Sequence, residues 1–480
     1  MPNLSVWMFP SSSRRALGLF LIALCLISAS SHSHHQLCHT SSEAQRIASI
    51  FVSALLINDY KGHDSTGCPS DHLLLQKMAA DDSARSVGSE GMTFINIGFN
   101  KGFNLATWLN IYYPRSGVSN VVWFAAMQKW AAANNVPLSN PKCGVCDDCL
   151  EQVPINVPAA AGGAAGGLVD SMTFIGVDLN LANIELVRGV AGALDATQEH
   201  SLPGVSIKLL HAAGGAQSAT IRIPKCPMGW EICRIPDNAT SLSDAEWVKA
   251  TGGLEPIHVP VVTVDEIVRN LTHSWYNMQQ YHDTANATYF HGLVDILMID
   301  TEGHDALVLK GAGHLIRRRA VRCIIFEYHA MAPWSTMRLE DSVRELDLHG
   351  YSCFFQGRER LWPLTGLCWS GQYEFHSWSN VMCVERNDVW MASIRPFIVT
   401  EEYINEILKG GAGYEGHTIK IKPSPSLPML DTRQIYLVKN GTKCPFWSAG
   451  AFVSRGFEWS DTQLVDGGYA AFLADGDWLK

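Results

Sequence analysis

The chain has 480 residues, of which 47% are hydrophobic, and its formal net charge is −10. This length suits two domains, or one large domain with an appendage, and the hydrophobic fraction is ample for a packed core. The negative charge, and the lack of a basic stripe in the sequence, argue against a nucleic-acid binder.

The first 30 residues have the layout of a secretory signal peptide. Arg14 and Arg15 precede an apolar run that ends in small residues, ALGLFLIALCLISAS. This run is shorter than the roughly 20 residues that a membrane span needs. A cleaved signal is favoured, and an uncleaved signal anchor is the alternative, so contact with a membrane is expected only if the segment is retained. Either interpretation predicts the endoplasmic reticulum and Golgi lumen or the extracellular space.

Glycosylation acceptors and cysteines agree with the secretory pathway. Four Asn-x-Thr triplets begin at Asn238, Asn270, Asn286 and Asn440. Removing Cys25, which lies in the signal, from the 13 cysteines leaves 12, an even number that suits disulfide pairing. Cys226 with Cys233, and Cys353 with Cys383, have the spacing of plausible bridges, although sequence alone does not give the connectivity.

Residues 31–85 are interpreted as a helical and flexible segment, and the first clear strand follows them. Residues 93–97 are apolar, and Gly98 and Gly102 bound a turn that leads into a helical pattern. Glycine lets the backbone approach a ligand closely, so this unit predicts nucleotide binding. A dinucleotide oxidoreductase is disfavoured because its third fingerprint glycine is missing.

Residues 113–168 have the character of an insertion that ends in the low-complexity connector AAAGGAAGG. Cys143, Cys146 and Cys149 could suggest a metal site, but no fourth ligand follows at a normal spacing, so disulfides are favoured and no metal is predicted.

Two further strands each end in candidate ligand contacts. Residues 173–177 lead to Asp178, a residue type that can hydrogen-bond the ribose hydroxyls of a nucleoside, although a simple helix N-cap is the alternative. Residues 205–210 lead to a run of small residues that includes Ala212 and leaves room for a flat ring. The following stretch, 220–255, is predicted to be irregular.

The most informative stretch is LVDILMIDTEGHDALVLKGAG, residues 293–313. A buried strand ends at Asp300 and Glu302, and a helix follows, with Asp300 or Thr301 expected to cap it and Gly311 and Gly313 expected to end it. The alternative is a purely structural role, in which Asp300 only caps this helix and Glu302 pairs with a lysine.

A fifth buried strand, residues 321–329, also ends in polar residues, Glu327 and His329. A helix at 339–348 and two final strands, at 351–355 and 380–385, complete the alternation of strands and helices. This pattern predicts an α/β three-layer sandwich with a mostly parallel sheet and an antiparallel edge strand.

The remaining features lie around and after the last strands. Residues 396–430 are interpreted as a linker and 431–480 as a small accessory module with an Asn440-Gly441 hairpin turn. The aromatic residues between the final strands are candidates for stacking on sugars, with core packing as the alternative: Trp362, Trp369, Tyr373 and Trp378.

Several of these segments resemble the FkbM-type S-adenosylmethionine-dependent methyltransferases. The most specific match is VDILMIDTEGHDALVLKGA, and further matches are residues 94–102, IIFEYH at 324–329 and WSNVMC at 378–383. The resemblance covers residues 86–395. It implies the class I methyltransferase fold, which is a Rossmann-like, doubly wound, mostly parallel sheet of seven strands.

The same resemblance implies the roles of the site residues and the cofactor S-adenosyl-L-methionine. Asn96, Gly98, Asn100 and Gly102 are expected along its methionine part, Asp178 at its ribose and Ala212 beside its ring. The residues expected to line the reaction pocket are Asp300, Glu302 and His329, with Asp300 or His329 as the base. Asn96 stands where the family usually has Asp, and Phe99, where it usually has Ala, is expected to narrow the turn.

The implied function is O-methylation of a hydroxyl on a sugar, glycan or related small molecule in the secretory pathway. The alternative is a non-catalytic secreted binding protein built on a degenerate methyltransferase fold, which the departures at Asn96 and Phe99 favour.

Overall fold

The computed structural model describes residues 37–57, 91–138, 169, 171–195, 202–230, 233, 235–236, 239, 241–271, 294–357, 360–403, 418–421, 434–439, 442–465 and 474–475. Several sequence predictions lie outside these residues: the signal segment, the AAAGGAAGG connector, the Pro-rich part of the linker, the cysteines at 143, 146 and 149, and the acceptors at 238, 286 and 440.

An eight-stranded sheet forms the centre of the larger part of the chain. In chain order, the strands up to residue 385 are β1 (Met92–Ile97), β2 (Met172–Asp178), β3 (Val205–His211), β4 (Ala213–Gly214), β5 (Ala219–Pro224), β6 (Pro256–Val262), β7 (Val294–Ile299), β8 (Val321–Tyr328), β9 (Tyr351–Gln356), β10 (Leu361–Pro363) and β11 (Ser379–Glu385). The spatial order is β10-β9-β11-β8-β7-β1-β2-β3. The neighbouring strands in the part of the sheet that runs β8-β7-β1-β2-β3 pair parallel, as predicted.

Two details of the sheet differ from the prediction. It has eight strands instead of seven, because the three-residue β10 adds to β9 at one edge. So short a strand leaves no periodic signal in the sequence. In addition, β11 runs antiparallel between β8 and β9, so an antiparallel strand also lies inside the sheet.

Helices cover both faces of this sheet. The described helices are α1 (Ser41–Ile57), α2 (Phe103–Tyr112), α3 (Asn120–Ala133), α4 (Leu181–Asp195), α5 (Asp244–Thr251), α6 (Val264–Leu271), α7 (Asp305–Gly311), α8 (Gly313–Arg317), α9 (Leu339–Leu348), α10 (Trp390–Ile394) and α11 (Ala449–Ser454). Alternate residues of β1 point to opposite faces. Phe94 packs in one core cluster with α2, α3 and α4, whereas Ile95 and Ile97 pack in another with α1, α6, α7 and α9.

Part of the predicted insertion belongs to one helical layer. Ser119 caps α3 by accepting a hydrogen bond from the backbone of Val122. Trp123 on α3 is fully buried, and its indole N–H donates to the carbonyl of Lys101 over 2.8 Å. These contacts fix α3 above the turn that follows β1.

The segment predicted to be irregular contains regular structure. β4, β5 and β6 form a small three-stranded sheet in the order β4-β6-β5. Ser243 and Glu246 form a reciprocal capping box that starts α5. The prediction for 220–255 was therefore wrong. Polar and apolar residues do alternate in β5, but the run is short and the strand pairs with the non-local β6.

Three disulfides join described cysteines. Cys226–Cys233 and Cys353–Cys383 confirm the two predicted bridges. Cys38–Cys368, with a sequence separation of 330, was not predicted and ties the segment before α1 to the region after β10. Three bridges fit an oxidising secretory or extracellular environment. Among the helices described, none combines the length and the apolar character that crossing a bilayer requires.

The C-terminal module has a five-stranded sheet of its own. Its strands are β12 (Thr418–Ile421), β13 (Ile435–Lys439), β14 (Thr442–Pro445), β15 (Gln463–Val465) and β16 (Ala474–Asp475), in the order β15-β12-β13-β14-β16. β12 lies within the segment that was predicted to be a linker, 396–430, so the sheet begins before the predicted module. β13 and β14 pair antiparallel up to Lys439 and Thr442, which flank the predicted Asn440-Gly441 turn.

Candidate active site

Four strand ends meet at one edge of the central sheet. The backbone N–H of Gly98 donates to Val177 over 2.7 Å, and that of Asp300 donates to Ile97 over 2.9 Å. The N–H of Ala212 donates to the carbonyl of Asp178 over 3.1 Å. These bonds hold the ends of β1, β2, β3 and β7 together, at the edge where α/β sheets bind ligands.

A cavity of about 1180 Å³ opens at this edge. Seven of the nine predicted site residues line it: Gly98, Asn100, Asp178, Ala212, Asp300, Glu302 and His329. We call the part around Gly98, Asn100, Asp178 and Ala212 the glycine-turn end. The part around Asp300, Glu302, Glu327 and His329 is the acid end.

The turn after β1 requires glycine at Gly98. Its φ is +84°, and a Cβ there would lie 1.7 Å from the carbonyl oxygen of Asp300. Asn100 is also left-handed, with φ +46°, and its N–H donates to Asp178 Oδ2 over 2.9 Å. Asn100 Oδ1 is buried and has no hydrogen-bond partner among the described residues, so it is available to a ligand.

Gly102 and Asn96 do not line the cavity. Gly102 serves helix packing, because a Cβ on it would lie 2.9 Å from the ring of Trp123. Asn96 is fully buried, and its Oδ1 accepts from Asn104 Nδ2 over 3.1 Å. Asn104 itself lines the cavity, so Asn96 lies directly behind a residue of the cavity wall.

Phe99 is accommodated by β2. Its side chain is buried, and a Cβ on Gly176 would lie only 2.6 Å from its ring. The ring also meets Phe174 edge-on, with centroids 6.3 Å apart. The missing side chain at Gly176 makes room for this ring, and Phe99 is also one of the residues that line the cavity.

Asp178 is held by three amide donors. Its carboxylate accepts from the backbone of Asn100 and, over 2.7 Å, of Asn180, and from Asn183 Nδ2 over 3.4 Å. Burial raises the pKa of Asp178 to about 7, while the hydrogen bonds oppose that rise and Asp300 adds to it. Asn180 caps α4 by accepting from Ala182. Because Asn180 provides the cap of α4, the alternative prediction that Asp178 is only an N-cap is not needed.

At the acid end, Asp305 holds the loop between β7 and α7, and α7 begins without a side-chain cap at His304. Asp305 Oδ2 accepts from Gly303 N and Thr301 Oγ1, each over 3.2 Å, and its Oδ1 accepts from Glu327 N. Asp305 is fully buried and begins α7. The predicted cap was wrong, because an acid inside the first turn reaches back to the loop. Asp300 and Glu302 are left facing the cavity.

The end of this helix also differs from the prediction. Gly311 is the last residue of α7, as expected, but Gly313 begins α8 instead of ending a helix. The N-terminus of α8 is capped by Asp265, which accepts from the backbone of His314 and Leu315. This distant carboxylate could not be read from the local sequence.

The turn between β7 and α7 has an unusual backbone. Glu302 is left-handed, with φ +51°, and Gly303 follows with φ +96°. A Cβ on Gly303 would lie 2.4 Å from the carbonyl of Met331. A left-handed residue other than glycine stores conformational energy and often marks a functional site.

His329 has a defined proton arrangement. Its Nδ1 accepts from the backbone N–H of Met331 over 3.1 Å, so a neutral imidazole carries its proton on Nε2. Nε2 lies 3.9 Å from Glu327 Oε2. In this form His329 is a hydrogen-bond donor, which weakens the prediction that it serves as the base.

Glu327 is a candidate that the sequence analysis did not include among the site residues. It lines the cavity, and burial raises its pKa well above the usual range, with the charges of Asp300, Asp305 and Glu302 adding to the rise. A hydrogen bond from the side chain of Trp378 opposes this rise in the pKa of Glu327. The signal was present, because Glu327 is an acid near the end of an otherwise apolar strand.

Comparison with known families bears on the acid end. The family model of the methyltransferase FkbM domain matches residues 230–353. The predicted resemblance is confirmed over this segment. No curated protein and no solved structure matches the chain.

The FkbM match contains Asp300, Glu302, Glu327 and His329, and thus the whole acid end. It supports methyltransferase activity in general. Gly98 and Asp178 precede the matched segment, but the sheet brings them to the same cavity. The glycine-turn end therefore rests on the geometry of the strand ends and not on the family match.

Proposed function

We propose that this chain is an S-adenosylmethionine-dependent O-methyltransferase that acts on a hydroxyl of a sugar, glycan or related small molecule in the secretory pathway. The observation that carries the proposal is the meeting of the glycine turn, Asp178 and the FkbM acid end in one cavity. Three disulfides support the compartment.

The glycine-turn end fits the cofactor. Gly98 provides a backbone approach that no side chain could share, and Asn100 Oδ1 is a buried acceptor without a partner among the described residues. Asp178 offers carboxylate oxygens to the ribose, and the small side chain of Ala212 leaves room for the adenine ring. When bound, S-adenosyl-L-methionine supplies an electrophilic methyl group on a sulfonium.

The acid end receives the proton of the acceptor. As the new carbon–oxygen bond forms and the sulfur–carbon bond breaks, the hydroxyl must lose its proton to a nearby base. Because the His329 Nδ1 lone pair is occupied by Met331, the base is a carboxylate, Asp300 or Glu327. The raised pKa of Glu327 makes its carboxylate a stronger base than an ordinary glutamate. His329 then orients Glu327 or the acceptor through Nε2–H.

One aromatic side chain supports a sugar acceptor. Of the four predicted stacking residues, Trp362 and Tyr373 are core residues, and Trp369 packs against the core. Trp378 is half-buried, lines the cavity and donates to Glu327. An indole next to the base suits the apolar face of a sugar ring.

Two experiments test the proposal. Thermal denaturation with S-adenosyl-L-methionine or S-adenosylhomocysteine should show stabilisation that grows with ligand concentration. Methyl-labelled cofactor, incubated with a glycan extract, should transfer label to the glycans. Asp300→Asn should reduce this transfer while binding persists, and His329→Ala should reduce it less. If neither ligand stabilises the chain at saturating concentration, the non-catalytic binding protein becomes the better interpretation.

A further inference from the structure

A disulfide-closed loop forms part of the cavity wall. Cys226 and Cys233 are bonded, and both Trp230 and Cys233 line the cavity. Trp230 is 40% exposed. Large aromatic side chains are usually more deeply buried than this, so an open indole face at a cavity is available for a ligand.

Two asparagines anchor the loop beside Asp178. Asn183 Oδ1 accepts from Gly229 N over 2.9 Å, and Asn180 Nδ2 donates to the carbonyl of Pro227 over 3.0 Å. The same two asparagines donate to the Asp178 carboxylate, Asn183 through Nδ2 and Asn180 through its backbone. The loop and the carboxylate therefore share one hydrogen-bond network, and their relative position is fixed.

The end of β3 flanks Asp178 on its backbone side. Ala212 N donates to the Asp178 carbonyl over 3.1 Å, and the residues after it, up to Ala216, have at most a methyl group as side chain. A Cβ on Gly214 would lie 2.6 Å from Ile97, so this wall stays close to the backbone. If a sugar is bound at Asp178, a flat ring attached to it can lie against this wall of small residues. The indole of Trp230 lines the same cavity.

We propose that Trp230 is the surface on which the adenine ring of the cofactor stacks, and that the Cys226–Cys233 bridge positions it. This inference rests on the proposed function. The chemistry is that of a purine nucleoside, because Gly229, next to Trp230, bonds to Asn183, and Asn183 also donates to the expected ribose acid, Asp178. Trp230 is the binding residue, and the two cysteines are positioning residues.

Calorimetric titration of the full, oxidised chain with adenosine, S-adenosylhomocysteine and methionine tests the role of Trp230. Trp230→Ala should lower the affinity for adenosine and for S-adenosylhomocysteine by about tenfold, which is the scale of one base–aromatic stack. The affinity for methionine should not change. Trp230→Phe should restore most of the affinity. Trp447→Ala, which removes a 67% exposed indole from the C-terminal module, is the matched control and should change nothing.

The outcomes separate the two proposals. If the unsubstituted chain binds neither adenosine nor S-adenosylhomocysteine, the proposed function fails and this inference fails with it. If it binds both and Trp230→Ala binds them equally well, only the inference is overturned. Weaker binding of a sugar acceptor with unchanged adenosine affinity would also overturn it, since Trp230 would then face the acceptor.

The double substitution Cys226→Ser, Cys233→Ser tests the bridge. We expect a folded protein, checked by circular dichroism, with adenosine affinity reduced at least threefold and methionine affinity kept. Adding Trp230→Ala to this variant should lower the adenosine affinity by a smaller factor than it does in the bridged chain, because the indole is no longer held in place. A folded double variant with full adenosine affinity would overturn the positioning role.

Discussion

The two ends of the cavity surround their carboxylates with different neighbours. At the glycine-turn end, one acid, Asp178, is surrounded by amide donors from Asn100, Asn180 and Asn183. At the acid end, Asp300 and Glu302 lie close enough to Glu327 to raise its pKa by their charge. A single satisfied carboxylate suits the fixed recognition of a sugar hydroxyl. Crowded carboxylates repel one another, and this repulsion favours the uptake of a proton.

Removal of the base should have the largest effect. We expect Glu327→Gln to lower kcat by roughly 10²-fold or more, because general base catalysis contributes about that much. S-adenosylhomocysteine affinity should stay unchanged, since Glu327 belongs to the acid end. Turnover with labelled cofactor and calorimetry would measure the two quantities. Glu185→Gln, an exposed acid on α4, is the control.

Comparison with Asp300→Asn then identifies the base. If Glu327 is the base, the pH at which kcat reaches half its maximum should move down in Asp300→Asn, because a charge that raises the pKa of Glu327 has been removed. Full activity in Glu327→Gln would instead leave Asp300 as the acceptor of the proton.

Gly98→Ala tests how tightly the two ends are joined. A Cβ at this position would lie 1.7 Å from the carbonyl oxygen of Asp300, at a φ of +84°. We expect a loss of about 3 kcal/mol in the free energy of unfolding, from strain and displaced backbone. Gly192→Ala on α4, where a Cβ meets no atom within 4 Å, should instead be neutral or stabilising. Equal stabilities of the two variants would contradict the close approach.

The stability of both ends should depend on pH in the same direction. Asp178 and Asp305 each have a folded pKa of about 7 against an ordinary 3.8. The folded chain thus retains protons that the unfolded chain releases. Their stabilising contribution is complete below the unfolded pKa and is lost as the pH rises towards 7. We expect the free energy of unfolding to fall over this window, by at most about 1.4 kcal/mol per pH unit for each group.

Asp300→Asn should make this decline shallower, mainly through Asp305. The charge of Asp300 is the second largest cause of the raised pKa of Asp305 but the smallest for Asp178. Urea denaturation of both proteins across the window would measure the slopes. Identical slopes would mean that the charge of Asp300 does not reach Asp305.

The smallest effect is expected at the strained turn of the acid end. Glu302→Asn should raise the free energy of unfolding by up to about 1 kcal/mol, because Asn tolerates the left-handed backbone better and one like charge is lost. Thermal denaturation would measure the change. Asp341→Asn, an exposed position on α9, should stay within about 0.5 kcal/mol of the parent. A destabilised Glu302→Asn would show that this side chain makes contacts worth more than the strain.

The sequence predicted those features that depend on neighbours along the chain. The strand that ends at Asp300 and the glycine turn at Gly98 are both local patterns of an apolar run and a break. The predicted meeting of Gly98, Asp178 and Asp300 then follows from the rule that parallel strands end at one edge.

Features that depend on distant contacts were missed. The hydrogen bonds that Asp305 accepts include one from the backbone of Glu327, 22 residues away. The place of Trp230 depends on a disulfide and on two asparagines that precede it by more than 40 residues. Burial of Phe99 requires the absence of a side chain at Gly176, in another strand. None of these pairings has a periodic signature.

The Cys353–Cys383 bridge has a consequence for how the cavity opens. It joins directly paired residues of β9 and β11, and β11 pairs with β8, the strand that carries Glu327. A covalent clamp one strand behind β8 resists sliding of the sheet on that side. The β8 side of the cavity, which carries Glu327, is therefore expected to keep its shape when an acceptor enters.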